Sequence, residues 1–286
     1  MLALNLHPPG TPADIVMTAS YPASCGNPIT CNRPTSVTDA RGYRTDYTYD
    51  ATHGGVLTAT RSAPSGAPPV GTGTRPQTRY TYGSFYAWYK NSSGNIVQGT
   101  APVYKLTQTS TCATLASCTG TGDESRSTTA YQAGSASTAS NILPLTVTTG
   151  AGNGSLSATT TTTYDQVGNV IAVDGPLAGD GDKAAYRYDA LRRKTGEVAA
   201  AYTASDGQTK RRATRMTYHL NGQVQTAEQG AVAGLSDSDW SAFAPLTWSV
   251  NDFDALGRVI KTRQQNSAGI AAVTQFSYDT ENRVVC

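Results

Sequence analysis

Side chains suited to acid–base catalysis are scarce in this sequence. It has three histidines, His7, His53 and His219, and none of them lies in an H-E-x-x-H or G-x-S-x-G motif. Histidines in turns or on surfaces are much commoner than catalytic ones, so we expect no catalytic residue among them. The stretch "GTGTRP" has the glycines of a phosphate-binding loop without the strand and helix that such a loop needs. The sequence therefore predicts a protein that is not an enzyme.

An acidic loop is the best candidate for metal binding. The stretch "DGPLAGDGDK" places Asp174, Asp180 and Asp182 close together, and their carboxylate oxygens could bind calcium. It lacks the ligand spacing and the terminal glutamate of an EF-hand loop. A solvated hairpin tip is the favoured interpretation, and we expect neither a metal nor a cofactor.

Cysteine spacing gives the only indication of the cellular compartment. Cys25 and Cys31 stand six residues apart, as do Cys112 and Cys118, and Cys286 is left over. Two disulfides that close short loops are the simplest interpretation, and they would indicate an oxidising compartment. A zinc site with four thiolates is the main alternative, but its cysteine pairs are usually two to four residues apart. Reduced cysteines without a role are the third possibility.

An aromatic cluster raises the possibility of ligand binding. The stretch "YGSFYAWYK" contains Phe85, Tyr86, Trp88 and Tyr89, whose rings could stack on sugars as in an adhesin. A strand with rings on both faces is the commoner explanation of such a cluster. The net charge of +2 gives no argument for binding nucleic acid. The sequence also contains no run of 18 apolar residues that could span a membrane.

Composition favours strands. The apolar fraction is 38%, with 16 tyrosines and long runs rich in threonine, whereas compact domains usually have roughly 45–50% apolar residues. Tyrosine and threonine are enriched in strands and rare in disordered chains. An open β-rich architecture is therefore expected rather than a thick hydrophobic core.

A repeated unit organises these strands. Each copy is a strand that ends in an aromatic residue, followed by aspartate, a short turn and a second strand. The aromatic–Asp pairs are Tyr49–Asp50, Tyr164–Asp165, Tyr188–Asp189, Phe253–Asp254 and Tyr278–Asp279, and Tyr82, Tyr131 and Tyr218 mark degenerate copies. Aromatic residues also recur at i and i+2, as in Tyr47 and Tyr49, which places both rings on one face of a strand. We expect a continuous aromatic ladder, with Tyr164, Tyr188, Phe253 and Tyr278 mostly buried.

The turn of the unit has a recognisable chemistry. An aspartate carboxylate can accept hydrogen bonds from backbone N–H groups two residues further on. The residue four positions after the aromatic is of a type that tolerates positive φ: Gly42, Gly168, Gly222, Gly257 or Asn282. An apolar residue then begins the returning strand, as at Val170, Val224, Val259 and Val284. Each unit is therefore a predicted β-hairpin, and single hairpins must pair edge to edge to be stable.

The predicted fold is all-β, built from stacked antiparallel hairpins. Residues 1–36 are expected to form an irregular, proline-rich lead-in, and residues 37–286 to form the repeat segment. A short helix is predicted in "LSDSDWSAFAPL", where Ser236 or Ser238 could cap its start and Pro245 would end it.

The repeats resemble the RHS/YD-repeat family, whose motif is Tyr-Asp, two spacers, Gly-Arg and an apolar residue. The best copy, residues 253–259, keeps every position except that Phe253 replaces tyrosine, and it includes Asp254, Gly257 and Arg258. Other copies depart from the motif. Arg192 stands at the glycine position and is followed by Lys194 at the apolar one, so the register there is open. His219 replaces aspartate, and "DATHGG" has one extra residue.

The resemblance implies a curved β-strip that forms part of a hollow shell. In bacterial members this shell encloses a C-terminal toxin or effector, and in animal teneurins it supports cell adhesion. The implied partners are the remainder of the shell and the enclosed effector, in a secreted or cell-surface protein. The self-cleaving core of the family has no counterpart in this sequence.

The last repeat unit and Cys286 lead us to expect a piece of a longer protein. Residues 283–286 are shorter than a typical returning strand of about five to six residues. Cys286 has no matching cysteine at the spacing of the other pairs. An open strand edge would then favour self-association.

Overall fold

The computed structural model describes residues 2–5 and 16–285. His7 and Cys286 lie outside the described residues. The chain divides into two units, residues 1–159 and residues 160–286. The predicted all-β fold of stacked antiparallel hairpins is confirmed, because the strands of both units pair antiparallel to one another and a single short helix occurs in the described ranges.

The strands of the first unit follow one another through the sheet. They are β1 (Leu2–Asn5), β2 (Val16–Ser20), β3 (Ser36–Thr38), β4 (Arg44–Tyr49), β5 (Val56–Thr60), β6 (Gln77–Phe85), β7 (Trp88–Lys90), β8 (Ile96–Gln98), β9 (Val103–Cys112), β10 (Glu124–Tyr131) and β11 (Pro144–Ala151). Each pairs with the next along the chain, except that β7 and β8 form a separate hairpin and β6 pairs with β9. The lead-in is therefore not wholly irregular, because β1 and β2 join the sheet through β3.

The second unit continues the same pattern. Its elements are β13 (Val170–Asp174), β14 (Ala184–Tyr188), β15 (Lys194–Thr203), β16 (Thr209–Tyr218), β17 (Val224–Val232), α1 (Asp237–Ser241), β18 (Ala244–Phe253), β19 (Val259–Asn266) and β20 (Gly269–Gln275). The strand β12 (Ser157–Tyr164) contains the boundary between the units. Each strand from β12 to β19 pairs with its successor.

The helix α1 begins as predicted, at a Ser236 cap. The Ser236 side chain accepts a hydrogen bond from the N–H of Asp239, and the Asp239 side chain accepts one from the N–H of Ser236. The predicted end at Pro245 is wrong, because the helix stops at Ser241 and Pro245 lies in β18. Phe243 packs into the core directly after the helix, and this draws the chain back to the sheet.

A small hydrophobic core lies in the second unit. Val198, Ala213, Val232 and Phe243 are buried together, and Ala185, Leu235 and Trp240 pack against them. Trp240 lies directly on Gly196, where a Cβ atom would come within 2.6 Å of its ring. The segment around α1 therefore covers one patch of the sheet, while most strand residues stay only half-buried.

Seven of the repeat aromatics stand at a β-bulge. Tyr164 pairs with Val170, and the next residue back, Thr163, pairs with Ala172, so that Ile171 is the extra residue. The same shift occurs at Tyr49, Tyr82, Tyr131, Tyr188, Tyr218 and Phe253. Such bulges increase local twist and fix the register of a hairpin. No helix in residues 2–5 and 16–285 is long and apolar enough to cross a membrane.

Candidate functional site

The repeated turn is the most regular feature of the described chain, and residues 254–258 show its geometry. Oδ1 of Asp254 accepts hydrogen bonds from the N–H groups of Leu256 and Arg258, both at 2.9 Å. The N–H of Gly257 donates to the carbonyl of Asp254 at 3.0 Å, and Gly257 has a φ of +78°. This is a tight turn that ends in a left-handed residue, a standard way to close a three-residue hairpin loop.

The same carboxylate geometry recurs in other repeats. Oδ1 accepts from the N–H groups two and four residues further on at Asp39, Asp165, Asp189 and Asp279. These bonds lower the pKa of each carboxyl, because they favour its charged form. At Asp165 and Asp189 burial has the largest single effect on the pKa and opposes the lowering without overcoming it, whereas at Asp254 the N–H of Arg258 has the largest effect.

Two of the repeat arginines, Arg258 and Arg193, make the same pair of contacts. Nε of Arg258 donates to Oδ2 of Asp254 at 2.7 Å, and its guanidinium carbon lies 4.5 Å from the ring centroid of Tyr278 in the next repeat. Arg193 does the same, bonding Asp189 at 2.7 Å and lying 4.4 Å from the ring of Tyr218. One repeat therefore holds a cation against the aromatic residue of the following repeat.

The tyrosine hydroxyls complete this connection. Tyr278 donates to the carbonyl of Val259 at 2.8 Å, and Tyr218 donates to that of Lys194 at 2.6 Å. Each acceptor residue is the cross-strand partner of the preceding repeat's aromatic, Phe253 or Tyr188. In the first unit, Tyr131 donates to Leu106, the partner of Tyr82, and Tyr49 donates to Pro34. We call this linked set of aspartate, arginine and tyrosine contacts the repeat relay.

The register at Arg192 is settled by the structure. Arg192 takes the left-handed φ of +65° that glycine has elsewhere, and Lys194 pairs with Tyr188 as the apolar residue does in other repeats. Nζ of Lys194 bonds Oε2 of Glu197 at 2.6 Å, which balances its charge beside the Tyr186 ring. This copy therefore keeps the turn despite two departures from the motif.

In the repeat with His219, other side chains make the contacts that aspartate and the tyrosine hydroxyl make elsewhere. Nδ1 of His219 accepts from the N–H of Asn221 at 3.4 Å, which is the role of the aspartate oxygen, and its ring stacks on Phe253 at 4.5 Å. Gln223 stands where other repeats have arginine. Phe253 has no hydroxyl, and Nδ2 of Asn251 donates instead to the carbonyl of Val224 at 3.0 Å.

The extra residue after Asp50 produces a longer turn that makes similar contacts. Oδ1 of Asp50 accepts from the N–H groups of Thr52 and His53, and the turn closes one residue later, at Gly55. The His53 ring then lies 4.6 Å from the Tyr82 ring, in the place that arginine takes over the next aromatic in other repeats. Gly54 supplies the positive φ of +71°.

One further copy of the turn is not recognised from the sequence. Oδ1 of Asn91 accepts from the N–H groups of Ser93 and Asn95, both at 3.0 Å, and Gly94 has a φ of +80°. This turn joins β7 to β8. Its signal is the spacing Asn-x-x-Gly-Asn-Ile, which matches the motif once asparagine is allowed for aspartate.

The cysteines are joined in two local pairs. Cys25 is bonded to Cys31 and Cys112 to Cys118, with Cα atoms 4.8 and 5.6 Å apart. Cys112 and Cys118 are fully buried, and Nη2 of Arg79 lies 3.3 Å from the Cys112 sulfur. Disulfide sulfurs are not free to act as the four thiolate ligands of a zinc site.

The acidic loop of residues 174–183 is held by an arginine. Buried Arg211 donates to the carbonyls of Lys183 and Asp180. Oδ2 of Asp182 accepts from the N–H of Leu177 at 2.9 Å, and Lys183 lies 3.5 Å from Asp174. The three carboxylates are spread over separate contacts and do not converge on one point.

The aromatic cluster of residues 85–89 divides into packed and exposed rings. Phe85 packs edge-on against Tyr131 with ring centroids 5.2 Å apart. Trp88 lies against Gly134 and exchanges backbone hydrogen bonds with Ser140. Tyr86 and Tyr89 are the exposed members, with 38% and 52% of their surface accessible to solvent. A binding surface here would therefore use the two tyrosines and not Trp88.

Comparisons with known proteins give fold-level likenesses only. No family model matches the chain, and no curated protein matches it. Of the solved structures, a chain of the TcdB2–TccC3–Cdc42 crystal structure is similar at 10% identity and a TM-score of 0.47, covering 96% of this chain and 13% of that one. A chain of the Photorhabdus luminescens Tc holotoxin pore with a TccC3 mutation is similar at 12% identity and a TM-score of 0.30. The match covers 95% of this chain and 18% of that one.

A third solved structure gives a similar result. A chain of TcdB2–TccC3–TEV matches at 12% identity and a TM-score of 0.25, covering 96% of this chain and 15% of that one. The chain thus spans less than a fifth of the length of each of these chains. The identities of 10–12% and the TM-scores below 0.5 make these distant likenesses.

Proposed function

We propose that this chain is a non-enzymatic wall segment of an RHS/YD-repeat shell that encloses a C-terminal toxin or effector domain. The repeat relay carries the proposal. In it, the aspartate turn of one hairpin holds an arginine on the aromatic ring of the next, as Asp254 and Arg258 do for Tyr278. A chain that fixes each hairpin to its successor is suited to extending a wall one hairpin at a time.

The distribution of buried side chains supports the same role. The repeat aromatics Tyr164, Tyr188, Phe253 and Tyr278 are all half-buried, and the hydrophobic cluster of the second unit is small. Hydrogen bonds and ring contacts between neighbouring hairpins therefore contribute much of what a thick core supplies in other folds. The disulfides fit a secreted or cell-surface bacterial protein.

Limited proteolysis of the full-length protein that carries this segment tests the proposal. We expect electron microscopy to show a hollow particle, and we expect the region C-terminal to the segment to resist protease until the particle is opened with urea. A solid particle would contradict the proposal. Cleavage of that region at the same rate before and after urea treatment would contradict it as well.

A binding module of the adhesin type is the second candidate, and the exposed rings of Tyr86 and Tyr89 favour it. Its test is a glycan array with the chain and with a Tyr86→Ser/Tyr89→Ser variant. Saturable binding that the variant loses would favour the adhesin, and Trp88→Phe serves as the control because Trp88 packs against Gly134. An array without saturable binding would remove this candidate.

A further inference from the structure

The turn of residues 50–55 differs from the other aspartate turns because an imidazole accepts one of its backbone hydrogen bonds. Nδ1 of His53 accepts from the N–H of Gly55 at 3.1 Å, while Oδ1 of Asp50 accepts from the N–H groups of Thr52 and His53. In the full aspartate turns the carboxylate itself accepts both bonds. An imidazole nitrogen accepts a hydrogen bond only while it carries no proton. We call residues 50–55 the histidine turn.

The imidazole of the histidine turn is enclosed by aromatic rings. The His53 side chain is 12% exposed, and its ring centroid lies 4.6 Å from that of Tyr82 and 4.5 Å from that of Tyr104. A Cβ atom at Gly55 would lie 2.6 Å from the Tyr82 ring and 2.7 Å from the His53 ring. Gly55 is therefore packed tightly against both rings, and its backbone has little space to reorient while the turn keeps its shape.

The surroundings of this ring can accommodate a positive charge. The titratable and charged side chains around it are Asp50 on its own turn, Arg33 beside Gly54, Tyr80 and Tyr82 on β6, and Tyr104 on β9. Nε2 of His53 lies 3.5 Å from Oδ1 of Asp50. The N–H groups of Thr52 and His53 lower the pKa of Asp50 from 3.8, so this carboxylate stays ionised in mild acid. The carboxylate and the tyrosine faces favour a cation, and Arg33 opposes it.

The histidine turn also holds the loop of residues 25–33, which the first disulfide closes. Nδ2 of Asn27 donates to the carbonyl of Ala51 at 2.9 Å. The turn and the loop are in close contact as well, because a Cβ atom at Gly54 would lie 2.9 Å from the Ile29 side chain. A change in the shape of the turn would therefore reach this loop directly.

We propose that the histidine turn is a pH-sensitive switch, in which a proton on Nδ1 of His53 removes the acceptor of the Gly55 N–H, opens the turn and releases the loop of residues 25–33. Imidazoles in peptides take up this proton at about pH 6.5. The neutral ring makes the bond, so its contribution is present at about pH 7.5 and is lost as the pH falls to about 5. The aspartate turns keep their charged acceptors in this range. The proposal does not depend on the shell.

Hydrogen exchange of the full chain between about pH 7.5 and about pH 5 tests the switch, with rates divided by the intrinsic rate at each pH. His53→Asn supplies an amide oxygen that takes up no proton, as Asn91 does in its own turn. His219→Asn is the matched control, because Nδ1 of His219 also accepts a backbone N–H. Residues 165–169, a turn without histidine, are the internal reference. Nitrogen NMR of the histidine-labelled chain follows the proton on His53 independently.

In the wild-type chain, we expect the protection of residues 51–55 and 26–33 to fall at least about tenfold on acidification, because a donor loses its acceptor. The midpoint should match that of His53 in the NMR titration, and residues 165–169 should keep their protection. His53→Asn should abolish the fall, and His219→Asn should leave it unchanged. Constant protection in the wild-type chain, or a midpoint apart from that of His53, would overturn the proposal without any variant. So would a fall that persists in His53→Asn or disappears in His219→Asn.

Discussion

Asn251 donates its side-chain amide to the carbonyl of Val224 at 3.0 Å, and so takes the place of a tyrosine hydroxyl. In neighbouring repeats the corresponding carbonyls of Lys194 and Val259 accept from Tyr218 and Tyr278. The aromatic residue that follows the repeat with His219 is Phe253, which has no hydroxyl and cannot donate. A carbonyl between two hairpins is thus satisfied by either of two side chains, and the position of the acceptor stays the same.

Two mutations test whether Asn251 takes over the hydrogen bond that a tyrosine hydroxyl makes in the other repeats. Asn251→Ala should destabilise the chain by about 1 kcal/mol, because the Val224 carbonyl loses its donor. Adding Phe253→Tyr to that variant should recover most of the loss, since the new hydroxyl can reach the same carbonyl. Urea unfolding measures both changes. A double variant no more stable than Asn251→Ala would show that the two donors are not interchangeable, and Phe253→Tyr alone is the control.

The stacking of Arg258 on Tyr278 is open to a double-mutant cycle. Arg258→Lys keeps the charge but loses the planar fork that bonds Asp254 and covers the ring, so we expect a loss of about 0.5–1 kcal/mol. The same change in a Tyr278→Leu background should cost less, because the ring is gone. Equal losses in both backgrounds, measured by urea unfolding, would show that the ring contributes nothing to this pair.

Acid should destabilise the repeats through their turn aspartates. The pKa values of Asp189, Asp254 and Asp279 are lowered from the ordinary 3.8 in the folded chain. Their contribution is therefore complete at pH values above 3.8 and is lost as the pH falls below it through the lowered pKa values. The temperature of thermal unfolding, measured between pH 6 and pH 2, should fall steeply below about pH 4. Asp254→Asn should reduce that fall, and an unchanged pH profile would contradict this role.

The two disulfides should differ in how easily they are reduced. Cys112 and Cys118 are fully buried, whereas Cys25 is exposed. Mild reductant should therefore open the Cys25–Cys31 bond first, as followed by alkylation and peptide mapping. Loss of either short loop closure should cost about 2–3 kcal/mol of stability. Free thiols or bound zinc at these positions in freshly purified protein would contradict the pairing.

Burial sets the relative cost of removing aromatic rings. Phe243 is 6% exposed within the small core, so Phe243→Ala should cost about 3–5 kcal/mol. Tyr188 is half-buried in the sheet, and Tyr188→Ala should cost less than Phe243→Ala. Denaturant unfolding of both variants gives the comparison. An equal or greater loss for Tyr188→Ala would mean that the ladder, rather than the cluster around Phe243, forms the main core of the second unit.

The hairpins themselves are predictable from the sequence because their determinants are local. Asp254 and Gly257 fix the turn within a few residues, and alternation fixes the faces of the flanking strands. The start of α1 at Ser236 is predictable for the same reason. Its end is not, because Phe243 leaves the helix to meet Val198 and Ala213, which are distant in sequence.

The contacts between repeats escape prediction for a different reason. Arg258 and Tyr278 are twenty residues apart, and the interval between other such pairs varies with loop length. A fixed spacing therefore cannot reveal them. The replacement of aspartate by His219 reads as a loss of the motif in the sequence, whereas the structure shows the histidine ring stacked on Phe253. The turn at Asn91 is missed because asparagine stands in the aspartate position.

Hydrogen exchange is the most direct test of the claim that each repeat is held by the turn before it. In the Arg258→Met variant, Asp254 and Tyr278 lose their common partner, and the bond from Nη1 of Arg258 to Asn282 is lost as well. The repeat relay predicts faster exchange both in residues 254–258 and in the following repeat, residues 276–285, while residues 209–218 keep their protection. Faster exchange confined to residues 254–258 would contradict it.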